Sequence, residues 1–485
     1  MRPSEWTAIV SPMTTESETP KTIAAEFVGA DFGDRRLSRR LQTISEELEA
    51  KPNEPFPEVM TAGELEAFYR FVGNERVTPE AILAPHVDAT IRRMRCHETV
   101  LIVHDTTEFS FGGLRRNLNQ GKGRRRHSKF KGHFSLAVSG DDQRIPLGVL
   151  KFSSFTRDEN TPTKLRRQGK AYAEVAKMAS QQDRWGDSIR AVESRVGQAS
   201  SLLHVMDSEA DDYRLFAQLQ EDEHRFLVRL CYDRRLDNRS TDNVDVQKTK
   251  QFVLAQPELC QREVKISARK REVGENRCTR SRSRTRRTAT LSIRATAAVF
   301  RRPHPVEKTL PETLSVNIVS ATEIDAPDNC QPVEWVLITT EPIATEDQVL
   351  AVIDRYRSRW VIEEYFKALS TGCAYEKRLL TNFHSLTNAL AIFAPIAYGL
   401  LRLRSVARTG KDLAASQVLT PTQLKALRSQ PRCKLPPKPS AHDAMLAVAR
   451  LGGHLRSNGD PGWLVLARGF LKMLEIENVI RYLSK

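Results

Sequence analysis

Hydrophobic positions divide the chain into stretches of different period. Near the N-terminus Leu37, Leu41, Ile44 and Leu48 recur at helical spacing, and Leu65, Phe68, Tyr69 and Val72 form a second such run. Thr78-Pro79-Glu80 has the form of a helix start, with threonine as cap and proline in the first helical position. From about residue 98 the pattern becomes strand-like. Residues 99–105 are a short, mostly apolar, β-branched run that ends on Asp105. Residues 134–138 and 148–152 resemble the next strands, with a turn around Gly140, Asp141 and Asp142. A long polar stretch, 164–196, is compatible with helix. Residues 202–207 are a second apolar run ending on aspartate, and 225–229 a third strand-like run.

Residues from about 235 to 335 differ in character. Basic segments at 269–271 and 280–287 read as exposed loop or disorder, and alternating sequence at 290–294 and 314–319 reads as strand. A β-rich insertion with a basic hairpin is predicted. Residues 335–339 are another strand candidate, and 347–370 predict one amphipathic helix. The longest apolar stretch, 389–401, contains Pro395 and Gly399 and is too short to span a bilayer, so it predicts a buried helix. A proline-rich linker at 435–440 precedes a helical end, broken at Gly452-Gly453 and at 458–461.

The chain has 485 residues, 40% of them apolar, so two to four packed units are expected. Lys and Arg number 75 against 60 Asp and Glu, a formal charge of +15. That surplus favours a polyanionic partner, because neutralised phosphates release counterions; charge alone also allows a basic protein without a nucleic-acid role. Seven cysteines, an odd number with no CxxC pair, support neither a disulfide framework nor a structural zinc site. The N-terminal segment lacks an apolar core, so no signal peptide is expected. A cytoplasmic, nucleoid-associated bacterial protein with no membrane partner is the expectation.

The candidate chemistry lies in Asp105 and Asp207, at the ends of strand-like runs, and Glu363 on the later helix. Strand ends expose side chains to a shared crevice. Hard divalent cations take oxygen ligands, and two of them about 4 Å apart serve in-line displacement at phosphorus. Tyr356, Arg359, Glu363 and Lys367 are spaced by three, four and four residues, which stacks them on one helix face. Either they hold phosphates beside the ions or they form a surface ion-pair ladder; Ile353, Trp360 and Phe366 face the core in both cases. Arg35, Arg36, Arg39 and Arg40 lie within about two helical turns, where they either grip DNA phosphates or form a solvated face.

At these residues the chain resembles the IS-four-type DDE transposases. The resemblance spans roughly residues 25–475. It rests on Phe32-Gly-Asp-Arg-Arg36, Tyr69-Arg-Phe71, Asp105-Thr-Thr107, Asp207-Ser-Glu-Ala-Asp211, 225–229, Trp335, the Tyr356/Arg359/Glu363 signature and Ala449-Arg-Leu-Gly-Gly453. It implies an α/β fold: an RNase H-like catalytic core (91–380, with the β-rich insertion), a helical DNA-end-binding domain (1–90) and a helical C-terminal dimerisation region (381–485). It implies Asp105, Asp207 and Glu363 as ligands of two Mg²⁺ ions, with Mn²⁺ as a substitute. Tyr356, Arg359 and Lys367 would contact DNA, as would Arg35, Arg36, Arg39, Arg40, Arg70 and Arg229. Trp335 would stack on a flipped base. Transposon terminal repeats and target DNA are the implied partners, bound by a homodimer in a synaptic complex. Two positions depart from the family pattern: Ser370 stands where a lysine is usual, and Ser208, not arginine, follows Asp207. The alternatives are a decayed, end-binding relative and an RNase H-like nuclease without strand transfer.

Overall fold

Residues 100–104 form a run buried on both faces, which places strand β1 (Thr99–Ser110) inside a covered sheet. The structure is a computed structural model that describes all residues except 1–21, 112–128, 157–180, 198–199, 238–247, 267–285, 304–307, 328–331, 381, 410, 456–460 and 484–485. Strands β2 (Lys129–Ser139) and β3 (Pro146–Phe155) add to β1 as an antiparallel meander. Its turn is built on Asp141, whose carboxylate accepts the backbone N–H groups of Gln143 and Arg144. On the other side β4 (Ser201–Met206) runs parallel to β1, and β5 (Phe226–Arg229) parallel to β4.

The sheet does not stop there. Strands β6 (Cys260–Ile266), β7 (Arg287–Arg301), β8 (Thr313–Ile324) and β9 (Glu334–Thr339) continue it, giving nine strands in the order β3-β2-β1-β4-β5-β9-β8-β7-β6. Val228 of β5 pairs with Ile338 of β9, so the β-rich segment covers what would be an open edge at β5.

Helices α1 (Arg35–Ala50), α2 (Phe56–Val59), α3 (Ala62–Val72) and α4 (Pro79–Met94) come first. Asp34 caps α1, Thr61 and Glu64 form a capping box on α3, and Thr78 caps α4 with Pro79 in its first turn. Beyond β3 lie α5 (Gln181–Val196), α6 (Tyr213–Glu221), the short α7 (Thr249–Leu254), α8 (Glu346–Arg357) and α9 (Trp360–Lys367). Helices α10 (Phe383–Thr409), α11 (Pro421–Arg428), α12 (Ala441–Leu451) and α13 (Trp463–Leu483) complete the chain. Helix α10 is long and apolar enough to cross a membrane, yet 89% of its most apolar window is buried within the protein. Its Leu390, Phe393 and Ile396 join one apolar cluster with Leu41 and Phe68 from the N-terminal helices and Val100–Val103 from β1. A second cluster gathers Leu403, Met445, Val448 and Met473 of α10, α12 and α13.

Two expectations are corrected. The single helix over 347–370 is two helices. Ser358 is buried, its hydroxyl donates back to the Asp354 carbonyl, and the N–H groups of Arg359, Val361 and Ile362 bond three residues back instead of four. Serine back-bonding of this kind bends helices. A π-helical turn then follows at Ala368–Gly372, and Ser370 lies in it. The break also turns Trp360 out of the core: it is 42% exposed, beside the Arg359 guanidinium.

Candidate active site

The parallel pairing of β1 with β4 ends at Val103 opposite Val205, and the two aspartates follow directly. Asp105 takes a bond from the N–H of Thr106, and Asp207 caps the turn Ser208–Ala210 by accepting the N–H of Glu209. Adjacent parallel strands thus deliver both carboxylates to one end of the sheet. Burial and the nearby Asp207 charge push the Asp105 carboxyl up to about 7, against the pull of Arg359.

Arg359, at the break between α8 and α9, brings in the third carboxylate. One guanidinium N–H donates to Asp105 Oδ2 at 2.8 Å and another to Glu363 Oε1 at 2.5 Å. Its side chain is only 11% exposed. Burial disfavours its charge, but Asp105, Tyr356, Glu363 and Asp207 together outweigh that. Tyr356 is buried, and burial raises its phenol; its ring meets Trp335 edge-on at 5.4 Å. Arg229 donates to the Ser208 hydroxyl at 3.1 Å, so a guanidinium from the neighbouring strand sits beside the residue that departs from the family arginine.

Behind the aspartates a buried chain of bonds ties the strands together. Ser135 and His104 pair at 3.0 Å, His104 and His204 at 2.9 Å, and His204 and Glu193 of α5 at 2.8 Å. Burial lowers the basicity of both imidazoles. Neighbouring strands are therefore locked in register just before their catalytic candidates.

Other sequence-based candidates stand apart. Lys367 pairs with Glu364 at 2.9 Å, not with the three carboxylates. Arg35, Arg36 and Arg39 are exposed and Arg40 half-buried on α1, and Arg70 is exposed and pairs with Glu66. The basic segment at 269–271 and residues 280–285 of the second one lie outside the described residues. The sequence reading missed Glu364. It accepts from Trp463 Nε1 at 3.0 Å and pairs with Arg404, whose guanidinium lies over the Trp463 ring. This network fastens α9 to α10 and α13. The only local signal was the second glutamate beside Glu363.

Among the described residues, no three His, Cys, Asp or Glu side chains are grouped to hold an ion as they stand. The donor set nevertheless suits hard divalent cations: three carboxylates, all oxygen, face one guanidinium. Arg359 occupies the space between two of them and balances one charge of three.

Comparison with known families agrees with this chemistry. Residues 21–77 match the family described as transposase DNA-binding, and residues 182–398 match the transposase DDE domain. Together the two matches support a DDE transposase that binds DNA, with a mixed α/β core of the kind such a domain uses. The first span contains Arg35, Arg36, Arg39, Arg40 and Arg70; the second contains Asp207 and Glu363 and begins after Asp105. Among solved structures, a cryo-EM structure of a piggyBac transposase synaptic complex with hairpin DNA matches at 9% identity and a TM-score of 0.32. That match covers 82% of this chain and 70% of the other.

Proposed function

We propose that this chain is an IS-four-type transposase with an RNase H-like core, similar to the transposase of transposon Tn-five, and that it performs cut-and-paste transposition. The observation that carries the reading is the convergence of Asp105 and Asp207, from neighbouring parallel strands, with Glu363 through the shared Arg359 guanidinium. In this reading Asp105, Asp207 and Glu363 hold two Mg²⁺ ions. When bound, such ions activate the attacking oxygen and neutralise the leaving oxygen of a phosphodiester.

The chain's own groups do the rest. Arg359 releases a carboxylate and turns its planar, five-donor fork toward a DNA phosphate, for which it is well matched. Tyr356, held rigid by burial against Trp335, sets the wall of the site. Trp335, half-buried, offers a ring for a base swung out of the stack. Arg229 and Lys367 line the approach, and Arg35, Arg36, Arg39, Arg40 and Arg70 bind the transposon end. Each step is an in-line displacement. Water attacks phosphorus to free a 3′-hydroxyl; that hydroxyl attacks the opposite strand to close a hairpin; water opens it; and the 3′-hydroxyl joins target DNA. At each step one P–O bond forms as another breaks, and the leaving oxygen takes a proton. The N-terminal helices to about residue 90, the core to about 380 and the C-terminal helices serve end binding, catalysis and dimerisation in the synaptic complex.

The test uses purified full-length chain, Mg²⁺ and a duplex bearing the terminal repeat that flanks the gene, with Glu363→Ala as control. Nicks, hairpins and joined products from the wild type alone are the expected result on a denaturing gel. Breaks without joined products would make the protein a nuclease. Bound, uncut DNA with both proteins would make it an end-binding, inactive relative, and Ser370→Lys would then be the first variant to try.

A further inference from the structure

Three guanidiniums from separate parts of the chain converge on one carboxylate away from the candidate active site. Asp354 of α8 accepts from Arg144 Nη2 at 3.3 Å, Arg262 Nη1 at 2.7 Å and Arg357 Nη1 at 2.9 Å. Arg144 comes from the turn between β2 and β3, Arg262 from the edge strand β6, and Arg357 from the last turn of α8. A structural ion pair needs one cation. Here three positive charges face one negative charge, with Asp142 acting on Arg144 only at longer range.

The arginines are also underused. Each guanidinium has about five N–H donors, and among the described residues each of the three makes one hydrogen bond, to Asp354. All three side chains are part-exposed, between 24% and 34%, so the remaining donors have access to solvent. The crowding is costly: burial and the neighbouring Arg357 make Arg144 easier to deprotonate than an ordinary arginine. Arg144 is moreover held in the left-handed region, at φ 50°, where a side chain is disfavoured. Three guanidiniums around one carboxylate leave an excess of positive charge, which favours a further anion.

We propose that Arg144, Arg262 and Arg357, organised by Asp354, form a phosphate-binding cluster for the sugar–phosphate backbone of duplex DNA, read without regard to sequence. The inference rests on the transposase reading and deepens it. Asp354 lies on α8 and Glu363 on α9, on either side of the bend at Ser358. The cluster and the candidate active site stand on consecutive helices, so the cluster would hold backbone other than the reacting phosphate. Three forks suit phosphate oxygens, which accept bidentate bonds. Asp354 spaces the forks and keeps them from repelling one another.

The test is the salt dependence of binding by the full chain to a random-sequence DNA duplex, read by fluorescence anisotropy. The variants are Arg262→Gln, the Arg144→Gln/Arg262→Gln pair and Asp354→Asn, each checked for fold by circular dichroism. Every phosphate that a variant no longer neutralises is expected to lower the slope of log K against log salt by about 0.9, so the pair should fall by about one to two. Asp354→Asn keeps a side-chain oxygen to space the forks and removes a negative charge, so the folded variant should bind at least as tightly as wild type. Unchanged slopes in folded Arg262→Gln and the pair would overturn the proposal and leave a purely structural junction. So would a slope change confined to an RNA duplex. If Arg144→Gln disturbs the turn, Arg262→Gln on the sheet edge decides alone. Cleavage with a wild-type salt slope in the variants would sink the cluster and spare the transposase reading; absence of Mg²⁺-dependent cleavage in the wild type would sink that reading while the slopes still report on the cluster.

Discussion

Arg359 binds Asp105, 254 residues upstream, at 2.8 Å, and the same guanidinium reaches Glu363 one helical turn downstream. One cation therefore holds together carboxylates from the sheet and from a helix. Removing it leaves buried negative charges facing one another. Arg359→Gln is expected to destabilise the protein at pH 8 by on the order of 3 kcal/mol, since breaking a buried pair exposes the uncompensated partner. Asp105 titrates at about 7, above its unfolded value, so its protonation favours the folded state and that contribution fades as pH rises through 7. Thermal melts at pH 6 and pH 8 check this: the deficit of Arg359→Gln should shrink at pH 6, and Ca²⁺ should restore more stability to the variant than to wild type.

Glu49 gives a second pH dependence. It is buried and accepts the N–H groups of Ile23 at 2.9 Å and Ala24 at 2.7 Å, yet burial dominates and pushes its carboxyl up to about 7. The folded state then binds this proton more tightly than the unfolded chain between about 4.5 and about 7. The stability it contributes is present below that window and is lost as pH rises through it, up to about 3 kcal/mol in all. Glu49→Gln should flatten the urea-denaturation free energy between pH 4.5 and 7. An equally steep profile in the variant would show that another group is responsible.

Helices α12 and α13 cross at two glycines. A methyl group on Gly469 would collide with the Val448 carbonyl oxygen, and one on Gly452 with that of Val465. Both obstacles are backbone, which cannot swing away. Gly469→Ala is expected to destabilise by at least about 1–3 kcal/mol, the usual penalty of overpacking. The effect should show in hydrogen exchange as faster amides in α12 and α13, with β1 and β4 unaffected.

Glu364 links the C-terminal helix to the helix that carries Glu363, through Trp463 and Arg404. Glu364→Gln weakens three charge-assisted bonds, from Trp463, Arg404 and Lys367, and should destabilise by about 1–3 kcal/mol. Trp463→Phe keeps the ring and removes only the N–H, so its effect should be smaller. Faster hydrogen exchange in both α9 and α13 of Glu364→Gln is the expected signature; faster exchange in α13 alone would mean that the network does not steady α9.

Local sequence determined much of this protein. Apolar runs before Asp105 and Asp207 located strand β4 and the first half of β1, because a doubly buried strand must be apolar along its length; β1 itself runs on past Asp105 to Ser110 in paired, less apolar sequence that the apolar pattern alone did not mark. Helix starts at Thr78 and Thr61 follow from caps whose partners lie three residues away. The excess of arginine and lysine pointed to a polyanion, and the buried α10 showed in its composition alone. What only the tertiary structure decided concerns partners far apart in the chain. Nothing local to residues 235–335 says that β9 pairs with β5 and makes one sheet of nine strands; that follows from an edge needing cover. Nor does helical spacing reveal that the chain bends at Ser358, exposes Trp360 and sends Lys367 to Glu364 while Arg359 turns to Asp105. Periodicity places residues on a face, but burial, charge balance and unmet hydrogen bonds choose their partners, and those are properties of the folded chain.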